Sequence, residues 1–121
     1  LTKRAVQAEL KAKGLPWERA KAFDGSAVLG QFVAFDGDTA DLSLCLMING
    51  HIVQQGGVND MMNSPKKLLA AAQSFLTIED NDVLMTGTPE GVGPVKAGDD
   101  FHGQIFEGHA LLVEARWRVI S

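Results

Sequence analysis

The sequence contains a single cysteine, no excess of positive charge and no long apolar run. A lone thiol, Cys45, excludes an internal disulfide framework and suits a reducing compartment. Eleven Lys and Arg against fifteen Asp and Glu leave a formal net charge of −4. Without a basic cluster, neither nucleic acid nor an anionic lipid surface is expected as the main partner. The chain is too polar for a membrane span, and it shows no internal repeat, heptad pattern or low-complexity segment. HxH and HExxH patterns, a GxSxG elbow, a P-loop and a GxGxxG before a helix are all missing. His51, His102 and His109 therefore read as solvated strand or turn histidines rather than zinc ligands. Cys45, among aliphatic neighbours, reads as a buried structural thiol rather than a nucleophile.

What is present is the composition of a globular domain: 121 residues, 45% apolar and 21% charged. That length gives one domain, 1–121. The first residue, Leu1, is not methionine, and no signal or transit peptide follows it. Leu1-Thr2-Lys3-Arg4 has the character of the interior of a longer or processed protein. Cytoplasmic residence is the default expectation.

Val6 and Leu10, four apart, predict a helix over 2–13 with Thr2 as its cap and Gly14 as its stop. A short turn is expected over Glu18 to Ala22. Ala27-Val28-Leu29 and Phe32-Val33-Ala34-Phe35 read as short extended segments. Leu42, Leu44, Leu46 and Ile48 alternate with Ser43, Cys45 and Met47, and Asn49-Gly50 follows. That pattern predicts a hairpin with a type I′ turn and a return strand over His51 to Gln55. Ser64-Pro65 has the form of an N-cap and first helical residue, with an apolar stripe through Leu76. Val83-Leu84-Met85 reads as a buried strand leading into the glycine- and proline-rich segment Thr86 to Pro94. Phe101 to Phe106, a Glu107-Gly108 turn and Leu111 to Ile120 form a second hairpin. Many strands, few helices and no βαβ alternation define an α+β, mostly β, class.

Arg4 and Gln7 lie at i and i+3, on one face near the start of the first helix. Free amides at a helix N-terminus attract anions, and a guanidinium adds a fork for a carboxylate. Spacing alone favours an ordinary solvated face with a common Arg and Gln. Lys21, between Ala20 and Ala22 and before Phe23, suits a confined ammonium or a snorkelling surface lysine. Thr88 sits in the rigid loop after the third apolar run, as a ligand contact or as a local turn threonine.

Together, Lys11-Ala12-Lys13-Gly14-Leu15-Pro16-Trp17, Ala20-Lys21-Ala22-Phe23-Asp24, Asn49-Gly50, Gln55-Gly56, Asp60-Met61-Met62 and Thr86-Gly87-Thr88-Pro89-Glu90-Gly91-Val92-Gly93-Pro94 resemble the fumarylacetoacetate hydrolase family, its acylpyruvate hydrolase branch most closely. The resemblance implies a β-barrel or β-roll fold, incomplete at its N-terminus here, and a homodimer. It also implies Mg²⁺- or Mn²⁺-dependent cleavage of acylpyruvates or other β-diketo acids to pyruvate and an acid. Isomerase and oxaloacetate decarboxylase activities belong to the same resemblance. By it, Arg4 and Gln7 contact the 2-oxo acid, Lys21 approaches metal and substrate oxygens, and Thr88 meets the substrate carboxylate.

The family's metal ligands, an E-x-E pair and an aspartate, correspond to positions before Leu1. Asp60, Asp99 and Asp100 do not match them. The resemblance therefore implies no catalytic metal and no activity for these 121 residues alone. Val58 and Asn63 replace a threonine and a phenylalanine common in the family, and the stretch Phe35 to Asp41 is shorter. Were 1–121 the whole native chain, a non-catalytic, dimer-forming β domain would be the alternative. An incomplete sheet is expected to expose edges and apolar surface.

Overall fold

The computed structural model describes residues 1–120, in two units: Leu1–Gly30 and Gln31 onward. In the first unit, α1 spans Arg4–Ala12 and α2 spans Glu18–Lys21. Gly14 ends α1 in the left-handed region at φ +63°. Leu15 N–H donates to the Leu10 carbonyl at 2.9 Å and Gly14 N–H to the Lys11 carbonyl at 3.1 Å, the paired bonds of a Schellman stop. The expected Thr2 cap is corrected: Lys3 occupies that position, with no side-chain cap bond. The Thr2 hydroxyl is instead engaged by Lys21, 2.8 Å away. Lys3 N–H donates to the Ala20 carbonyl at 3.0 Å, tying the start of α1 to α2.

The second unit is built on one antiparallel sheet of β1 (Leu42–Ile48), β2 (His51–Gly57), β3 (Asp100–Glu107) and β4 (Ala110–Arg118). Spatial order is β2-β1-β3-β4, so the sheet is open, with β2 and β4 at its edges. It is the α+β, mostly β, arrangement expected, with barrel closure not reached by these four strands. Both predicted hairpins form. Asn49 and Gly50 have φ +52° and +79°, the two left-handed residues a type I′ turn requires. α3 covers Pro65–Gln73, with the Ser64 hydroxyl accepting from Lys67 N–H at 3.3 Å. Its regular turns stop three residues short of the apolar stripe's end.

Three expected extended segments are corrected. Residues 27–29, 32–35 and 83–85 form no strands, and Val83, Leu84 and Met85 are exposed rather than buried. A strand exists only where a neighbour completes its ladder, and the sheet draws its pairs from the two hairpins alone.

Register assigns the faces. Leu44, Leu46 and Ile48 pair with Ile105, Gly103 and Phe101, which in turn oppose Val113, Ala115 and Trp117. These residues share one apolar face. Gly103 lets the Trp117 ring lie across it, since a Cβ there would sit 3.1 Å from the indole. The opposite face carries Ser43, Cys45, Gln104, Glu114 and Arg116. The residues of the apolar face are all half-buried, and none is fully buried; among the described residues only Leu10, Ala20 and Ala72, all outside the sheet, are buried.

Asn49 also joins the two hairpins. Its Nδ2 donates to Asp99 Oδ1 and its Oδ1 accepts from Asp100 N–H, both at 2.9 Å. This amide, then the Lys96 N–H, holds the Asp99 carboxyl below its ordinary value of 3.8. A carboxyl more acidic when folded stabilises fully above its unfolded pKa and loses that contribution as pH falls through the native one. Asn49→Ala is expected to move the Asp99 pKa back up, as read by carboxyl-carbon NMR titration; an unmoved pKa would contradict this assignment. Gly50→Ala, forcing a side chain into φ +79°, is expected to cost about 1–2 kcal/mol in urea unfolding.

Candidate functional site

Arg4, Gln7 and Lys21 all belong to the first unit; Thr88 belongs to the second. Arg4 is the first residue of α1, and its Nη1 donates to Gln7 Oε1 at 2.7 Å. The predicted pair is therefore formed, each side chain limiting the other's rotamers. Lys21 ends α2, and its Nζ donates to Thr2 Oγ1 at 2.8 Å. Of the two readings its neighbours allow, the structure gives the surface lysine. Lys21 is exposed, while Ala20 is the residue that is fully buried. Phe23 takes a different cation, with Lys3 Nζ 4.5 Å from its ring centroid.

These contacts give the start of α1 a distinct electrostatic character. It has no capping side chain and no acidic residue in its first turn. Its free N–H groups and the positive end of its dipole are not neutralised from within the helix. Arg4, fixed by Gln7, adds full charge at the same end. Such an arrangement accepts a carboxylate by backbone amides and guanidinium together.

In the second unit the segment Thr86 to Pro94 carries no regular structure and lies against β2. Gln54 makes that attachment. Its Nε2 donates to Thr88 Oγ1 at 2.9 Å and to the Pro89 carbonyl at 2.8 Å, with the Glu90 carbonyl at 3.4 Å. Two glycines permit the approach. A Cβ on Gly56 would lie 3.2 Å from Pro89 Cβ, and one on Gly91 would collide with the Val53 carbonyl oxygen. Val53 is the extra residue of a β-bulge, since Leu46 pairs with Gln54 but Met47 pairs with Ile52. Thr88, Pro89 and Gly56, with Leu44, Met61 and Ile105, line a cavity of about 630 Å³ on the apolar face.

The sequence singles out Thr88 but not Gln54. The available signal is the first glutamine in Gln54-Gln55-Gly56, which no local pattern separates from its exposed neighbour. His102 also differs from expectation. It is half-buried and pairs through Nε2 with Glu114 Oε2 at 2.7 Å, on the face opposite the cavity. That bond, then one from Gln104, lowers the Glu114 pKa. His51 and His109 are exposed, and Cys45 is half-buried in β1.

A divalent ion of the kind the resemblance implies needs three or more hard donors at one point. No such group of His, Cys, Asp and Glu occurs among the described residues. The side chains near the start of α1 are cationic or neutral, so the residues present do not fit a metal. Among the described residues, no helix is long and apolar enough to cross a membrane.

Known proteins resemble this chain in sequence and fold. The chain is 44% identical over 114 residues to the oxaloacetate tautomerase YcgM of Escherichia coli (strain K12), covering 92% of this chain and 52% of that protein. A crystal structure from Oleispira antarctica, a candidate fumarylacetoacetate isomerase/hydrolase, superposes with a TM-score of 0.94 at 37% identity, covering 98% of this chain and 55% of that one. Maleylpyruvate hydrolase from Sphingobium sp. SYK-6, crystallised with manganese(II) and pyruvate, gives a TM-score of 0.64 at 30% identity, covering 70% of this chain and 31% of that one. The chain thus spans about half the length of the curated relatives it matches. The family described as Fumarylacetoacetate (FAA) hydrolase C-terminal matches residues 1–117, and the chain belongs to the fumarylacetoacetate hydrolase family.

Proposed function

We propose that the chain forms the 2-oxo acid-binding part of an enzyme that interconverts the keto and enol forms of oxaloacetate. The observation that carries this reading is the uncapped, acid-free start of α1, with Arg4 fixed by Gln7. A small dianionic 2-oxo acid needs such a carboxylate anchor. It also needs a donor where negative charge develops on the carbonyl oxygen during enolisation. Lys21, oriented by Thr2, supplies an ammonium of the right charge for that oxygen. On the same reading Thr88 offers its hydroxyl to a substrate carboxylate. The 44% identity to an oxaloacetate tautomerase supports the substrate class.

Cleavage of an acylpyruvate, giving pyruvate and a carboxylic acid, is the second reading. The structural likeness to a maleylpyruvate hydrolase holding pyruvate supports it. Both reactions pass through an enolate of a 2-oxo acid, so the same anchors serve either. The Mg²⁺ or Mn²⁺ of the whole enzyme is proposed to rest on carboxylates other than those of residues 1–120. Pairing with a second copy is proposed as cover for the open sheet.

The test is a direct assay of enol-oxaloacetate decay by ultraviolet absorbance, beside acylpyruvate cleavage, in the metal-supplied enzyme. Tautomerisation well above the spontaneous rate supports the first reading; cleavage without it replaces that reading with the second. Arg4→Ala and Lys21→Ala are each expected to lower kcat/KM by about 100-fold, and Thr88→Val to raise KM by about tenfold. Unchanged kinetics in any one variant removes that residue from the site.

A further inference from the structure

We propose that Gln54 is a positioning residue that makes Thr88 a hydrogen-bond donor toward the substrate carboxylate, an inference that rests on the reading of Thr88 given above. The amide orientation follows from its partners. The Pro89 and Glu90 carbonyl oxygens only accept, so the Gln54 group facing them is the NH₂. The same nitrogen lies 2.9 Å from Thr88 Oγ1, which therefore accepts there. A hydroxyl that accepts on one side keeps its single proton for an acceptor on another. Thr88 lines the cavity on the apolar face of the sheet, so a carboxylate oxygen seated there meets a donor rather than a lone pair. Threonine alone has no such preference, because its hydroxyl rotates freely.

The surrounding backbone reserves this arrangement. The bulge at Val53 puts Gln54 in register with Leu46, on the cavity's face, while Ile52 passes to the other. Gly91, at φ +98°, lets the loop close on the Val53 carbonyl. One side chain thus both ties the loop to β2 and sets the polarity of its hydroxyl.

Gln54→Glu and Gln54→Met separate these two roles in the active enzyme. Above neutral pH the introduced carboxylate is ionised, cannot donate and would accept the Thr88 proton itself. The KM of Gln54→Glu for oxaloacetate is expected to rise about tenfold relative to the parent enzyme at pH 8, with kcat changed far less. As pH falls toward 5 the introduced carboxyl, once protonated, donates again, and the KM ratio is expected to shrink toward one. Gln54→Met, with no donor at any pH, is expected to keep its raised KM throughout. A raised KM in Thr88→Val beside a parent-like KM in both Gln54 variants would overturn the proposal while leaving Thr88 at the site. Equal, pH-independent increases in both Gln54 variants would reduce Gln54 to a structural tie and also overturn it. An unchanged KM in Thr88→Val would instead defeat the underlying reading of Thr88. Hydrogen exchange across residues 86–94 reports whether each variant keeps the loop in place; a variant that frees the loop yet keeps the parent KM overturns the proposal.

Discussion

The register of the β1–β2 hairpin is the constraint on which the placement of Thr88 depends. Asn49 and Gly50, both left-handed, close a two-residue turn that leaves no freedom in how Ile48 meets His51. Counting back from that turn, the extra residue Val53 is absorbed as a bulge, and Gln54 arrives opposite Leu46. A slip of one residue would send Gln54 to the opposite face and carry the loop's anchor with it. Asn49 reinforces the register from outside the hairpin by binding Asp99 and Asp100, which align β3 beside β1.

The same sheet explains why so much apolar surface stands open. Its inner face runs from Leu44 through Ile105 to Trp117, and none of these side chains is fully buried among the described residues. Met62, at 98% exposure, and Phe75, at 76%, are large side chains that water solvates poorly. At about 25 cal/mol per Å², such surface provides a strong drive toward covering. A layer drawn from elsewhere in the same protein and a second copy both satisfy that drive. The cavity beside Thr88 opens on this face, so whatever covers the sheet also bounds that cavity.

Local chemistry is readable wherever a few adjacent residues decide the conformation. Asn49-Gly50, Ser64-Pro65 and Gly14 each act through their own backbone preferences, and the structure uses all three as expected. Residues 27–29, 32–35 and 83–85 mislead because an apolar run carries no information about whether a ladder partner exists. Thr2 misleads as a cap because its hydroxyl has a competing partner nineteen residues away, Lys21. In the candidate site, the Arg4–Gln7 contact is legible from helical spacing. Gln54 is not, since its role requires a loop more than thirty residues later to fold back on β2.

The two proposed reactions place different demands on a binding site. Enolisation needs charge stabilisation at one oxygen and a site that holds a small dianion still. Cleavage needs those features and a water delivered to the distal carbonyl. In the roles proposed for them, Arg4, Gln7, Lys21 and Thr88 would each answer only the shared demand, because cations and hydroxyl donors stabilise an enolate whatever it does next. A water-activating base would have to be a His, Asp or Glu free to accept a proton. His102, the least exposed histidine, is instead committed to Glu114 on the opposite face of the sheet. On the proposed reading, the residues that would separate a tautomerase from a hydrolase are not the four assigned to the 2-oxo acid.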